Sequence, residues 1–154
     1  MDLDATDLRL LDVLQTDAAL SNQDLAERAH TSPATALRRV RRLVEIGVIE
    51  RRVALLNPHA LGEGLTALVE ITLDRQGAEH LDAFEQRAVA ESPVQQCWRV
   101  SPGPDFVLVL RVADMPAYQA LVQRLFTQDA NVRNVKAFFS LKRAKFDTRQ
   151  PLPV

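Results

Sequence analysis

The tightest constraint on this chain is its punctuation between residues 21 and 47. Ser21 can cap a short helix, with Asp24 three residues on as its reciprocal partner and Leu25, Ala26 and Ala29 turned inward. Ser32-Pro33 opens another. The serine hydroxyl can accept from a free first-turn amide, and proline at the first helical position lacks an N–H that would have had no partner. Gly47 supplies the stop. Only His30-Thr31-Ser32 separates the two helices, and so short a connection forces them to cross steeply, in helix-turn-helix geometry. Ahead of them Leu3, Leu10, Leu11 and Leu14 recur at helical spacing, so Ala5–Thr16 reads as a first amphipathic helix.

At 100° per residue the third helix gathers Ala36, Leu37, Val40, Leu43 and Val44 on one face. Thr35, Arg38 and Arg42 point the opposite way, with Arg39 and Arg41 on the flanks. Charge is segregated around this helix. Residues 1–27 set Arg9 against Asp2, Asp4, Asp7, Asp12, Asp17, Asp24 and Glu27. Residues 28–52 set Arg28, Arg38, Arg39, Arg41, Arg42, Arg51 and Arg52 against Glu45 and Glu50. The formal net charge of −1 hides this basic segment. An arginine-studded face on the helix after a tight turn suits a recognition helix lying on DNA phosphates; a solvated helix face is the plainer alternative.

After Gly47 the period changes. Strands are expected over 48–56, Leu65–Leu73, 94–100, Phe106–Val112 and 132–141, with helices over 78–91 and, capped by Asp114, over 115–126. Beyond the first of these strands the order is β-α-β-β-α-β, so the chain is α+β. A three-helix helix-turn-helix domain (1–50) is joined by a strand linker (51–64) to a ferredoxin-like βαββαβ domain (65–145), and a basic, proline-ended, loosely ordered tail follows (146–154). Such a sheet has helices on one side only. Phe106, Leu108 and Leu110 nonetheless alternate with Val107 and Val109, so both faces of that strand are apolar, and a twin sheet from another subunit is the economical cover.

Composition removes several function classes. The balance of 47% hydrophobic and 25% charged residues is that of a soluble globular chain, and no apolar run approaches the ~20 residues of a membrane span. The acidic start is unlike a signal peptide, and the lone Cys97 fits a reducing cytoplasm. No metal-ligand cluster, glycine-rich phosphate loop or nucleophile motif is present, so no catalytic site, metal or cofactor is expected. His59 and His80 have no base–nucleophile partner in sequence, and Cys97 and Trp98 read as packing residues of a strand.

Five stretches, LDATDLRLLDVLQTDA, LSNQDLAERAHTSPATALRRVRRLVEIGVI, ALLNPHALG, LVEITLDR and RVADMPAY, stand in the order and spacing of one family. Through them the chain resembles the Lrp/AsnC (leucine-responsive/asparagine) transcriptional regulators over about residues 2–145. The resemblance implies a cytoplasmic, sequence-specific regulator that binds double-stranded DNA. It implies a homodimer formed through the sheets, with assembly to octamers, and a free amino acid or related metabolite bound between dimers. Two departures stand out. His30 occupies the turn position where the family usually has glycine. Pro102-Gly103-Pro104-Asp105-Phe106 replaces the family's Gly-Asp-X-Asp-Tyr, and both prolines lack an amide N–H.

The DNA-contact candidates are Asn22 and Gln23 at the start of the second helix, and Ser32, Pro33, Thr35, Arg38, Arg39 and Arg42 on the third. Helix capping is the alternative for Asn22, Gln23 and Ser32. By resemblance the effector site would include Gly103, Asp105, Met115, Phe138, Phe139 and Ser140. Asp105 would meet the effector's ammonium or form a turn, and the two phenylalanines have core packing as their alternative. Two other functions compete. One is an Lrp-like enzyme of the siroheme decarboxylase type, which would need basic side chains, typically histidine, in the second domain; after residue 50 only His59 and His80 are available, and neither falls on a sheet face. The other is an amino-acid sensor that has lost DNA binding, against which the intact arginine face argues.

Overall fold

A computed structural model describes residues 2–153; Met1 and Val154, within the expected first domain and tail, lie outside the described residues. The chain forms two compact units. One comprises residues up to Leu55 together with those from Lys145 onward, the other Leu56–Ala144.

The first unit contains α1 (Ala5–Thr16), α2 (Asn22–Arg28) and α3 (Pro33–Glu45), each starting at the cap expected from sequence or one built like it. Asp4 and Asp7 form a capping box at α1, the Ser21 side chain accepts from the Asp24 amide at α2, and the Ser32 side chain accepts from the Thr35 amide at α3. Leu10, Leu25, Ala26, Ala29, Ala36 and Val40 make the small core. The turn between α2 and α3 carries His30 at φ 53°, a left-handed conformation in which glycine costs least, and Gly47 closes α3 at φ 76°.

The second unit opens with a 3-10 turn (Pro58–Leu61). It continues through β1 (Leu65–Leu73), α4 (Ala78–Ala90), β2 (Val94–Arg99), β3 (Phe106–Val112), α5 (Met115–Val122) and β4 (Val132–Phe139). α5 runs on into a π-helical turn, Gln123–Thr127, which completes the helical segment expected to about residue 126. The strands order β2-β3-β1-β4, every neighbouring pair antiparallel, as the ferredoxin-like arrangement requires. Ala67, Val69, Ile71, Phe106, Leu108 and Leu110 pack beneath Phe84 and Ala88 of α4 and Leu121, Leu125 and Phe126 of the α5 segment.

The strand expected over 48–56 is absent. Residues 51–57 are exposed and carry no regular structure, with Val53, Leu55 and Leu56 each more than 60% exposed. Its apolar alternation is real, but no strand edge within its own unit pairs with it. The tail also departs from expectation. Although irregular, it is docked on α1: Arg149 pairs with Asp12 at 2.8 Å, and the Gln15 amide donates to the Gln150 carbonyl while accepting from its N–H.

Candidate nucleic-acid interface and effector region

The helix-turn-helix is pinned by side chains that cross between helices. Arg9 Nε donates to the Ala29 carbonyl at 2.9 Å, and Asn22 Nδ2 donates to the Pro33 carbonyl at 2.7 Å. Asn22 therefore ties α2 to the first residue of α3, while Gln23 and Pro33 remain exposed. Ser32 has a complete structural role: its Oγ accepts from the Thr35 amide and donates to Thr35 Oγ1 at 2.9 Å, which also engages Thr35.

The arginines of α3 divide into two kinds. Asp7 is 2% exposed and receives Arg39 Nη1 at 3.0 Å and Arg42 Nη1 at 3.3 Å; Asp4 receives Arg39 again at 2.6 Å. The Arg39 hydrogen bond, followed by the Asp7 backbone amide, holds the Asp4 carboxyl down at about 2. The same carboxylates raise the affinity of the Arg39 guanidinium for its proton. So part of the acidic segment 1–27 neutralises part of the basic segment 28–52. Arg38 and Arg41 differ: both are exposed, and among the described residues no carboxylate pairs with either.

The buried arc of α3 is narrower than its apolar residues suggest. Ala36 and Leu43 are fully buried and Val40 nearly so, but Leu37 and Val44, expected to face inward, are 50% and 48% exposed. α1 and α2 cover only the arc centred on Ala36, Val40 and Leu43, and the neighbouring arc toward α1 is taken by the Asp7 ion pairs. The outward stripe is consequently Ala34, Leu37, Arg38 and Arg41, rather than Thr35, Arg38 and Arg42. Arg41 was missed as a candidate. Centring the helical wheel on Ala36, Val40 and Leu43 would have found it.

In the second unit the six effector candidates do not meet. Gly103 (φ 112°) and Asp105 lie where β3 begins. Asp105 accepts from the Leu73 amide at 2.7 Å and from Gln76 Nε2 at 3.3 Å, and its own amide donates to the Ile71 carbonyl, so it stitches the loop to the end of β1. Met115 and Ser140 lie at the other end of the sheet, where Leu65 pairs with Val112 and the Ser140 amide donates to the Thr66 carbonyl. The seven residues of β3 separate the two groups by about 20 Å. Phe138 and Phe139 point to opposite faces, Phe138 paired with Leu68 on the open face, Phe139 edge-on to Tyr118 at 5.0 Å on the helix side.

That open face is uncovered within the chain and carries Leu68, Val107, Val109, Trp98 and Phe138 among the polar Glu70, Gln96 and Lys136. Phe138, Leu68, Val109 and Gln96 form one cross-strand row; Lys136, Glu70, Val107 and Trp98 form the next. Trp98 was expected to pack, yet it is 60% exposed, with its Nε1 donating to Gln96. Cys97 faces the helices, and burial pushes its thiol up, away from the nucleophilic thiolate. His59 sits in the 3-10 turn and His80 on α4, 3.6 Å from Glu79. Among the described residues no helix is long and apolar enough to cross a membrane, and no three His, Cys, Asp or Glu are grouped to hold a metal.

A capped helix-turn-helix with unpaired arginines on its third helix, followed by a ferredoxin-like domain, defines a two-part DNA-binding regulator. Residues 3–50 match the model of a winged helix-turn-helix DNA-binding domain, and residues 66–150 that of the Lrp/AsnC ligand-binding domain. The leucine-responsive regulatory protein of Escherichia coli K12 is 36% identical over 148 residues, 96% of this chain and 90% of that one. An HTH-type transcriptional regulator of Haemophilus influenzae is 35% identical over 146 residues, 95% and 87% of the two chains. The crystal structure of an AsnC family transcriptional regulator from Agrobacterium tumefaciens superposes with a TM-score of 0.88 at 32% identity, over 97% of each chain. A Neisseria meningitidis transcriptional regulator in complex with L-Met gives 0.88 at 29% identity, also over 97% of each. The chain belongs to the Lrp/AsnC family of transcriptional regulators.

Proposed function

We propose that this regulator binds its operators in the cytoplasm as a homodimer or larger symmetric assembly and changes its DNA affinity when a free amino acid or related metabolite binds. The observation that carries the DNA-reading part is the pair of exposed, unpartnered arginines, Arg38 and Arg41, on the helix that follows the tight turn. Arg38, in the N-terminal half of α3, reaches base edges, and Arg41 reaches phosphate. The starts of α2 and α3, with Gln23, Ser32, Pro33 and Thr35, approach the phosphate backbone, whereas Asn22, Arg39 and Arg42 hold the domain together and touch DNA only secondarily.

Dimerisation covers the open sheet face around Trp98, Leu68, Val109 and Phe138. The effector candidates stand at opposite ends of one sheet, so an effector site that uses both groups is built from more than one subunit. The L-Met complex of the Neisseria meningitidis relative supports an amino acid as the ligand class. The reading is tested by binding of the full chain to the DNA upstream of its own gene, with each of the twenty amino acids present in turn. Specific binding that one or a few amino acids shift is expected. Binding no tighter than to random DNA, or affinity indifferent to all twenty, would overturn the corresponding half of the proposal.

A further inference from the structure

Leu37 was expected in the core and is half exposed instead. A single exposed leucine is ordinary on a protein surface; its neighbours make this one specific. Leu37 lies in the second turn of α3 and lines one shallow groove with Ala34, Arg38, Arg41, Arg42 and Glu45. Ala34 is exposed beside it, three residues earlier and so on the same side of the helix. The two arginines that bracket this apolar spot, Arg38 and Arg41, have no carboxylate partner among the described residues. A surface of small apolar contacts between unpaired cations matches the major groove, where phosphates rim a floor of base edges. The one apolar group that floor offers is the thymine C5 methyl.

We propose that Leu37, with Ala34 beside it, is a specificity-determining residue that packs on a thymine methyl in each half-site. The inference rests on the reading of α3 as the recognition helix and deepens it. Residues in the first turns of such a helix are the ones that reach base edges, and at 1.5 Å per residue Leu37 lies about 6 Å along α3 from Pro33. Arg38 and Arg41 then hold the helix in register while Leu37 excludes water from the methyl.

The test uses a duplex enriched from a random pool by the full chain, in which each thymine is replaced in turn by deoxyuridine, a change that removes only the methyl. Wild type should lose about fourfold in affinity at one thymine of each half-site, the worth of burying one methyl group. Leu37→Ala should bind the thymine duplex more weakly and no longer distinguish it from the uracil duplex at that position, while its mass in sedimentation stays that of wild type. Wild-type affinity unaffected by every uracil, or discrimination that persists in Leu37→Ala, would overturn the role of Leu37 and leave the recognition helix standing. A change of oligomeric mass in Leu37→Ala with discrimination intact would assign the residue to a subunit contact. Failure of the pool to enrich, with Arg38→Ala and Arg41→Ala no weaker than wild type on any DNA, would overturn both.

Discussion

Two arginines converge on Asp7 although that carboxylate is only 2% exposed, so removing it leaves Arg39 and Arg42 without the carboxylate they share. Arg39 keeps 22% of its side-chain surface and its Nε is already buried without a partner. Asp7→Ala should therefore destabilise the DNA-binding unit by about 2–3 kcal/mol, less than the ~3–5 of a fully buried pair because Arg39 and Arg42 retain solvent. Urea unfolding would read the loss, and a change under about 0.5 kcal/mol, the range of ordinary surface substitutions, would refute the role. Asp4 adds a pH signature. Its carboxyl titrates near 2 in the folded chain against an ordinary 3.8, chiefly through the Arg39 hydrogen bond. A lowered value means the stabilisation is complete above about pH 4 and is lost as pH falls toward 2. Asp4→Asn should flatten the fall of the thermal midpoint across that window. Equal slopes for variant and wild type would contradict it.

At the scale of elements, turns and caps were the most legible part of the chain. Ser21, Ser32, Pro33 and Gly47 act locally, so α2 and α3 could be bounded by their caps, and α1 was placed by the spacing of its leucines. His30 shows the same logic at a cost: it holds φ 53° where glycine would be unstrained. His30→Gly should raise stability by about 0.5–1 kcal/mol, and a loss would show that the imidazole has a stabilising role of its own. What was not legible depended on partners distant in sequence. The Asp7 pairs with Arg39 and Arg42 span more than thirty residues, and they decide which arginines are free. The 48–56 segment has strand composition but no neighbour with which to form a ladder, and Gln15 and Asp12 hold a tail whose sequence suggested disorder. The effector candidates carried over by resemblance were individually placeable, yet nothing in their sequence spacing showed that β3 keeps them about 20 Å apart.

For the whole molecule, the open sheet face and the recognition helix make linked demands. Trp98 is the only tryptophan and is 60% exposed in the single chain, so its fluorescence reports directly on cover by a second copy. Emission should be blue-shifted at micromolar concentration and move red on dilution, and Trp98→Glu should sediment near the 17.2 kDa monomer. An assembly unchanged by that substitution would place the interface elsewhere. A two-fold dimer presents two α3 helices, so any phosphate contact is counted twice in the salt dependence of DNA binding. The most direct measurement is therefore a salt titration of specific DNA affinity for the full chain and its Arg38→Ala, Arg41→Ala and Arg39→Ala variants. Arg41→Ala should reduce the slope of log affinity against log salt by about two per dimer. Arg38→Ala should cost about 1–3 kcal/mol and relax preference at one base pair per half-site. Arg39→Ala should lower stability while leaving the slope of the folded protein near wild type. If Arg38→Ala and Arg41→Ala both keep wild-type affinity and slope, the outward face of α3 does not touch DNA.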